Sequence, residues 1–259
     1  MINQYTYSGN KQLSYNDFGK KDGFPVLVQH GSVASIKDTG LLESLGEHAR
    51  VICVARPGYG DSSPHVLNSM LDYGAIIAGL AAEMKIAEFD VLSSSAGAPY
   101  GYAIAKACGP KTRNLYVFSG TPALYDEEIQ KGWPFPVAKN LTIEESQKIA
   151  YDVFFSHCTE KDREQNDVKD SMANNCFGEA QNLRIRFKGW GFSLAEIGSK
   201  VFMQHSKKDG VIPYPLAVKT AALLGNCELE LLDEGDHFTV ERYESFLQRT
   251  VIKNFDTLR

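Results

Sequence analysis

The stretch Phe89-Asp90-Val91-Leu92-Ser93-Ser94-Ser95-Ala96-Gly97-Ala98-Pro99 decides the fold. Apolar residues give way to small ones and then to a helix-compatible run through Ala105, so the segment reads as a buried strand feeding directly into a turn and a helix. Strand and helix can approach across so tight a turn only when the residues two before and two after its apex are small. Three consecutive serines compete for the apex, and the spacing chooses among them. Ser95 is flanked at that distance by Ser93 and Gly97, Ser94 by Leu92 and Ala96, and Ser93 by Val91 and Ser95; only Ser95 has two small flanks, one of them glycine. A second partial match, Gly191-Phe192-Ser193-Leu194-Ala195, precedes a strand instead of following one and is set aside as a decoy.

Around this segment lie short, unalternated apolar runs at Val26-Leu27-Val28, Val51-Ile52-Cys53-Val54, Val91-Leu92, residues 115–118, Val201-Phe202-Met203 and residues 229–232. Runs of that kind suit strands buried on both faces of a parallel sheet. Between them, Met70, Tyr73, Ile77, Leu80 and Met84 recur at helical spacing, as do Val240, Tyr243, Leu247 and Val251. Upstream, Tyr5, Tyr7, Leu13 and Tyr15 alternate around Gly9-Asn10, which predicts an antiparallel hairpin with one wet face. The expected fold class is α/β: a mostly parallel, doubly wound sheet with an N-terminal antiparallel hairpin and helices on both faces. Ligands bind such sheets at the carboxyl ends of the strands.

Residues 123–187 break the rhythm. They hold no clear buried strand but carry Trp133-Pro134-Phe135-Pro136, Phe154-Phe155 and a charged stretch over residues 160–170. The reading is a core domain of residues 1–122 and 188–259 with a helical lid inserted at 123–187. The charged stretch would be a solvated helix face, and the aromatics either the insertion's own core or the roof of an apolar pocket.

Composition excludes several classes of function. The 259-residue chain is 43% hydrophobic and 23% charged, as expected of a soluble globular protein. Its net charge of −5 gives no long-range attraction for nucleic acid or an anionic membrane. Residues 1–9 lack a signal-peptide pattern, and the most apolar stretch, residues 74–82, is too short to span a bilayer. Five scattered cysteines without a paired spacing argue against a disulfide framework or a zinc site and point to a reducing cytoplasm. The expected partner is a small-molecule substrate, and the expected assembly a monomer or homodimer.

The elbow at Ser95 resembles the G-x-S-x-G nucleophile elbow of the α/β-hydrolase fold superfamily, with Ser93 in place of the first glycine. Four more segments, in order, are similar to that family's motifs. His30-Gly31-Ser32 resembles its oxyanion loop, and the resemblance makes the backbone N–H groups of Ser32 and Ala96 the expected oxyanion donors, each typically worth about 3 kcal/mol at the transition state. Arg56-Pro57-Gly58-Tyr59-Gly60-Asp61-Ser62 resembles its R-P-G-x-G-x-S turn. His205-Ser206-Lys207-Lys208-Asp209 looks like its H-G-x-x-D acid loop with serine for glycine, and Gly235-Asp236-His237-Phe238 like its G-G-H-F loop. The resemblance implies a Ser95–His237–Asp209 triad, in the family's chain order of serine, acid and histidine, and chemistry without a cofactor or metal.

Rivals exist for each role: Asp126 and Asp236 for the acid, His30 and His205 as loop-structuring histidines, and His48, His65 and His157 as surface or lid residues. The expected activity is hydrolysis of a small apolar acyl or aryl ester, or another activated acyl bond, through an acyl-enzyme. A carbon–carbon bond hydrolase, a perhydrolase or an aminopeptidase would use the same site, although His30-Gly31-Ser32-Val33-Ala34 departs from the H-G-G-P-G of prolyl aminopeptidases. A reading from another class is a ligand-binding member with little or no turnover.

Overall fold

The computed structural model describes residues 2–137 and 139–256. Among them are the strands β1 (Ile2–Tyr7), β2 (Lys11–Gly19), β3 (Phe24–Gln29), β4 (Ala49–Val54), β5 (Phe89–Ser94), β6 (Thr112–Phe118), β7 (Lys200–Ser206) and β8 (Cys227–Leu232). They form one sheet in the order β1-β2-β4-β3-β5-β6-β7-β8. The β1–β2 and β2–β4 pairs are antiparallel and all others parallel. In the hairpin Tyr5 faces Leu13, and the left-handed turn residues are Ser8 and Gly9, one position earlier than Gly9-Asn10.

The helices include α1 (Glu43–Gly46), α2 (Met70–Glu83), α3 (Ala98–Cys108), α4 (Glu127–Gln130), α5 (Ile143–Phe154), α6 (Glu160–Glu164), α7 (Asn166–Ile185), α8 (Tyr214–Ala222) and α9 (Val240–Phe246). Alternation along the strands sorts their side chains between two cores. Leu27, Ile52, Val91, Leu115 and Val201 pack with Met70, Tyr73, Ile77 and Leu80 of α2, Tyr102 and Ile104 of α3, and Leu216 of α8. On the other face Val26, Val28, Val51, Cys53, Leu92 and Phe118 pack with Leu45 of α1, Tyr243 and Phe246 of α9, and Leu247 and Val251. Cover on both faces is why the central strands need no polar alternation.

Three expectations are corrected. Residues 229–232 are not buried on both faces: β8 is the sheet edge, Glu230 is exposed and the leucines are half-buried. Val240 does not join the buried stripe; it sits in the first turn of α9 and faces solvent, while Tyr243, Leu247 and Val251 are buried. Asp170, at the end of the charged stretch, is buried and paired with Lys37 at 2.8 Å.

The segment between β6 and β7 is helical, from α4 to α7. Its longest helix, α7, is broken where Ala173 is extended and Asn174, Asn175 and Cys176 have positive φ. Phe155 is fully buried among Ala150, Val168 and Cys176 of the segment itself, whereas Trp133 joins the main core and packs against the exposed Phe135 and against Phe187 with centroids 5.4 and 6.4 Å away.

Candidate active site

Ser95 sits at the carboxyl end of β5 with φ +48°, a left-handed conformation costly for a residue with a Cβ. Close packing holds it there. A Cβ on Gly97 would lie 2.5 Å from the Gln29 carbonyl oxygen and 2.6 Å from that of His30, so glycine is required where helix α3 passes β3. Ser93, at the other flank, is fully buried and donates its hydroxyl to the Tyr116 carbonyl at 3.2 Å. The rejected Ser193 caps a short helical turn, its Oγ accepting from Ala195 N.

Two loops from distant parts of the chain meet Ser95. Nε2 of His237 lies 2.9 Å from Ser95 Oγ, and Nδ1 lies 2.8 Å from Oδ2 of Asp209. The Asp209 side chain has no exposed surface and receives the Val211 and Ile212 N–H groups on Oδ1 at 2.8 Å each. Burial pushes its pKa up, but hydrogen bonds from His205, His237 and Ile212 outweigh burial and hold the carboxyl well below the ordinary aspartate range. An ionised carboxylate only accepts, so His237 carries its proton on Nδ1, and Nε2 is left to accept from the serine hydroxyl.

His205, expected as a loop-structuring histidine, joins the three residues that the structure brings together. His205 Nε2 approaches the Ile212 carbonyl at 2.9 Å and Asp209 Oδ2 at 3.1 Å. A carbonyl only accepts, so that nitrogen bears the proton and Asp209 is held by two histidines at once. The four-residue spacing from His205 to Asp209 was the available signal.

The non-glycine positions in the motifs make bonds between these loops. Ser206 Oγ donates to the Glu234 carbonyl at 3.1 Å and also contacts that of Gly235. Asp236 Oδ1 accepts from Gly210 N at 3.1 Å and His237 N at 2.7 Å, which fastens the acid loop to the histidine loop and keeps Asp236 off the imidazole. Asp126 caps α4, accepting from Glu128 and Ile129 N–H groups. Burial, then the charge of Arg56, lower the His30 pKa well below that of a free imidazole; its Nδ1 faces the Gly31 carbonyl at 2.9 Å. His48 and His157 are exposed, and His65 lies against Tyr7.

Beside Ser95 opens a pocket of about 450 Å³ that Ser32 also lines. Its apolar walls are Val28, Ile36, Leu41, Leu42, Cys53, Phe238 and Tyr243, on the sheet face that carries α1 and α9. Trp133, Phe135, Phe154 and Phe155 are not among its lining residues, so of the two expectations for them the pocket roof is not met; among the described residues of 123–187 only Asp167 lines it. Gly31 lies over Ser95, since a Cβ there would be 3.5 Å from Ser95 Cβ. Ala96 is the second residue of a short helix, where a backbone N–H has no intrahelical acceptor.

No described helix is long and apolar enough to cross a membrane. Neither a protein-family model nor a curated protein sequence matches the chain. Solved structures do. The esterase EaEST from Exiguobacterium antarcticum superposes with a TM-score of 0.75 at 17% identity, over 99% of this chain and 100% of that one. An enol-lactonase from Burkholderia xenovorans LB400 gives 0.67 at 15% identity, over 95% and 97%. The meta-cleavage product hydrolase CumD from Pseudomonas fluorescens IP01 gives 0.67 at 18% identity, over 96% of each chain. The chain has the α/β-hydrolase fold.

Proposed function

We propose that this protein is a serine hydrolase that cleaves a small ester or similarly activated acyl bond through an acyl-enzyme. The observation that carries the reading is the unbroken hydrogen-bonded chain from Asp209 through His237 to Ser95, with Ser95 on a strained elbow. Ser95 Oγ attacks the acyl carbon while its proton passes to His237 Nε2; Asp209 stabilises the resulting imidazolium and fixes its tautomer. The oxyanion is received by the N–H groups of Ser32 and Ala96. His237 then delivers the proton to the leaving oxygen, and water, activated by the same imidazole, releases the acid.

The acyl group occupies the pocket between Val28, Cys53 and Tyr243, whose size suits a small apolar acyl or aryl moiety. Residues 123–187 act as a helical lid beside this end of the sheet. The five free thiols support a reducing, cytoplasmic setting. A burst of p-nitrophenol, stoichiometric with protein and followed by slower turnover of p-nitrophenyl acetate or butyrate, is the expected result. Binding of such esters without release of the phenol would point instead to a ligand-binding member of the fold.

A further inference from the structure

We infer that Arg56 is a positioning residue for the oxyanion loop and that Glu179 of α7 holds it in that role, so helix α7 contributes to catalysis by bracing the loop. The inference rests on the hydrolase reading above.

The guanidinium of Arg56 is almost wholly buried, with its charge directed at main-chain oxygen. Nη2 donates to the Gly31 carbonyl at 2.7 Å, and Nη1 donates to that of His30. The Gly31 carbonyl and the Ser32 N–H belong to one planar peptide unit, so fixing the oxygen fixes the direction of the N–H at the other end. That N–H is the proposed oxyanion donor. A lysine at position 56 would keep the charge but lose the planar fork that grips two adjacent carbonyls.

Glu179 is fully buried in α7 and reaches the Arg56 turn through a chain of hydrogen bonds. Its Oε2 accepts from Asn182 Nδ2 at 3.1 Å; that amide also reaches Tyr59 OH at 2.7 Å, to which Arg56 Nη2 donates at 3.2 Å. The helix docks on the Arg56 turn with almost no clearance, since a Cβ on Gly178 would fall 2.2 Å from the Tyr59 ring. On the other side of its break, α7 grips the far end of the same loop. Ser171 Oγ accepts from Ala34 N at 3.0 Å, and Asp170 accepts from Ser35 Oγ at 2.5 Å and Lys37 Nζ at 2.8 Å. One helix therefore anchors the loop at both ends. The link from Glu179 to the Arg56 fork runs through Asn182 and Tyr59, and the fork in turn orients a backbone dipole.

The test compares wild type, Arg56→Lys and Glu179→Gln by kcat and KM for p-nitrophenyl butyrate and by affinity for an alkyl trifluoromethyl ketone. Ser95 Oγ adds to the ketone carbon, its proton moves to His237, and the hemiketal oxygen becomes the oxyanion. Arg56→Lys is expected to lower kcat by about 10- to 100-fold, weaken ketone binding by the same factor and leave KM within about twofold. Glu179→Gln should shift the same quantities in the same direction and carries the test if Arg56→Lys does not fold. Folded variants with unchanged kcat and ketone affinity, or with KM alone raised, would overturn the inference. A wild-type protein that forms no ketone adduct would overturn the hydrolase reading, and this one with it.

Discussion

Ser93 and Gly101 fit one another across the strand–helix contact behind the elbow: a Cβ on Gly101 would lie 2.6 Å from Ser93 Oγ. The serine that replaces the first glycine of the elbow motif is thus accommodated by a glycine one helical turn into α3. Gly101→Ala would ordinarily gain about 1 kcal/mol of helix propensity. Here the clash should win, and the substitution is expected to destabilise the fold by about 1–3 kcal/mol. In a Ser93→Gly background much of that penalty should vanish, giving a coupling of about 0.5–2 kcal/mol in a double-mutant cycle of denaturant unfolding. Strictly additive effects would show that the two positions do not compete for space.

The acid role is tested by exchange. Asp209→Asn should keep the fold and lower kcat by about 10⁴-fold, because an amide facing Nδ1 favours the wrong tautomer of His237. Asp126→Asn should leave kcat within about twofold and cost at most about 1 kcal/mol, since asparagine also caps a helix. Reversed kcat losses in steady-state assays would move the acid to Asp126.

Two pH dependences follow from the lowered Asp209 pKa. The native carboxyl ionises below the unfolded value of about 3.9, so its stabilisation is complete above that value and is lost as pH falls toward the native one. Equilibrium unfolding of Asp209→Asn should therefore lack part of the wild-type stability loss below about pH 4. With Asp209 ionised throughout the working range, its own titration sets no limb of the kcat/KM profile above about pH 4.

Pocket direction gives a separate outcome. Val28 and Cys53 are paired neighbours in β3 and β4 and line the cavity together. Cys53→Leu should therefore depress kcat/KM for hexanoyl esters relative to acetyl esters by about fivefold or more. Phe135→Ala and Phe154→Ala should leave that ratio unchanged. The opposite pattern in a p-nitrophenyl ester panel would place the acyl group under the segment between β6 and β7.

The parts of this fold legible in the sequence are those governed by local rules. Apolar runs such as Val26-Leu27-Val28 mark strands covered on both faces, and small residues around Ser95 mark an elbow, because both depend on near neighbours in the chain. Edge position escaped the same reading: residues 229–232 look like a central strand, and only the sheet order leaves them half-exposed. The loop brace was hidden for a related reason. Arg56 is visible in its turn motif, but its partners are the carbonyls of His30 and Gly31, which have no side-chain signature, and Glu179 lies more than a hundred residues away in a segment read only as a helical insertion. The pocket, likewise, is built by Leu41, Leu42 and Tyr243 from elements that meet only in the folded chain.

The central claim is that Ser95 is the nucleophile, and locating a fluorophosphonate adduct by tandem mass spectrometry tests it most directly. Wild type and Ser94→Ala should each carry one phosphonyl group, on Ser95, while Ser95→Ala carries none and loses about 10⁴-fold or more in kcat. A label that persists in Ser95→Ala and disappears in Ser94→Ala, or a wild-type protein that takes up no label at all, would contradict the account.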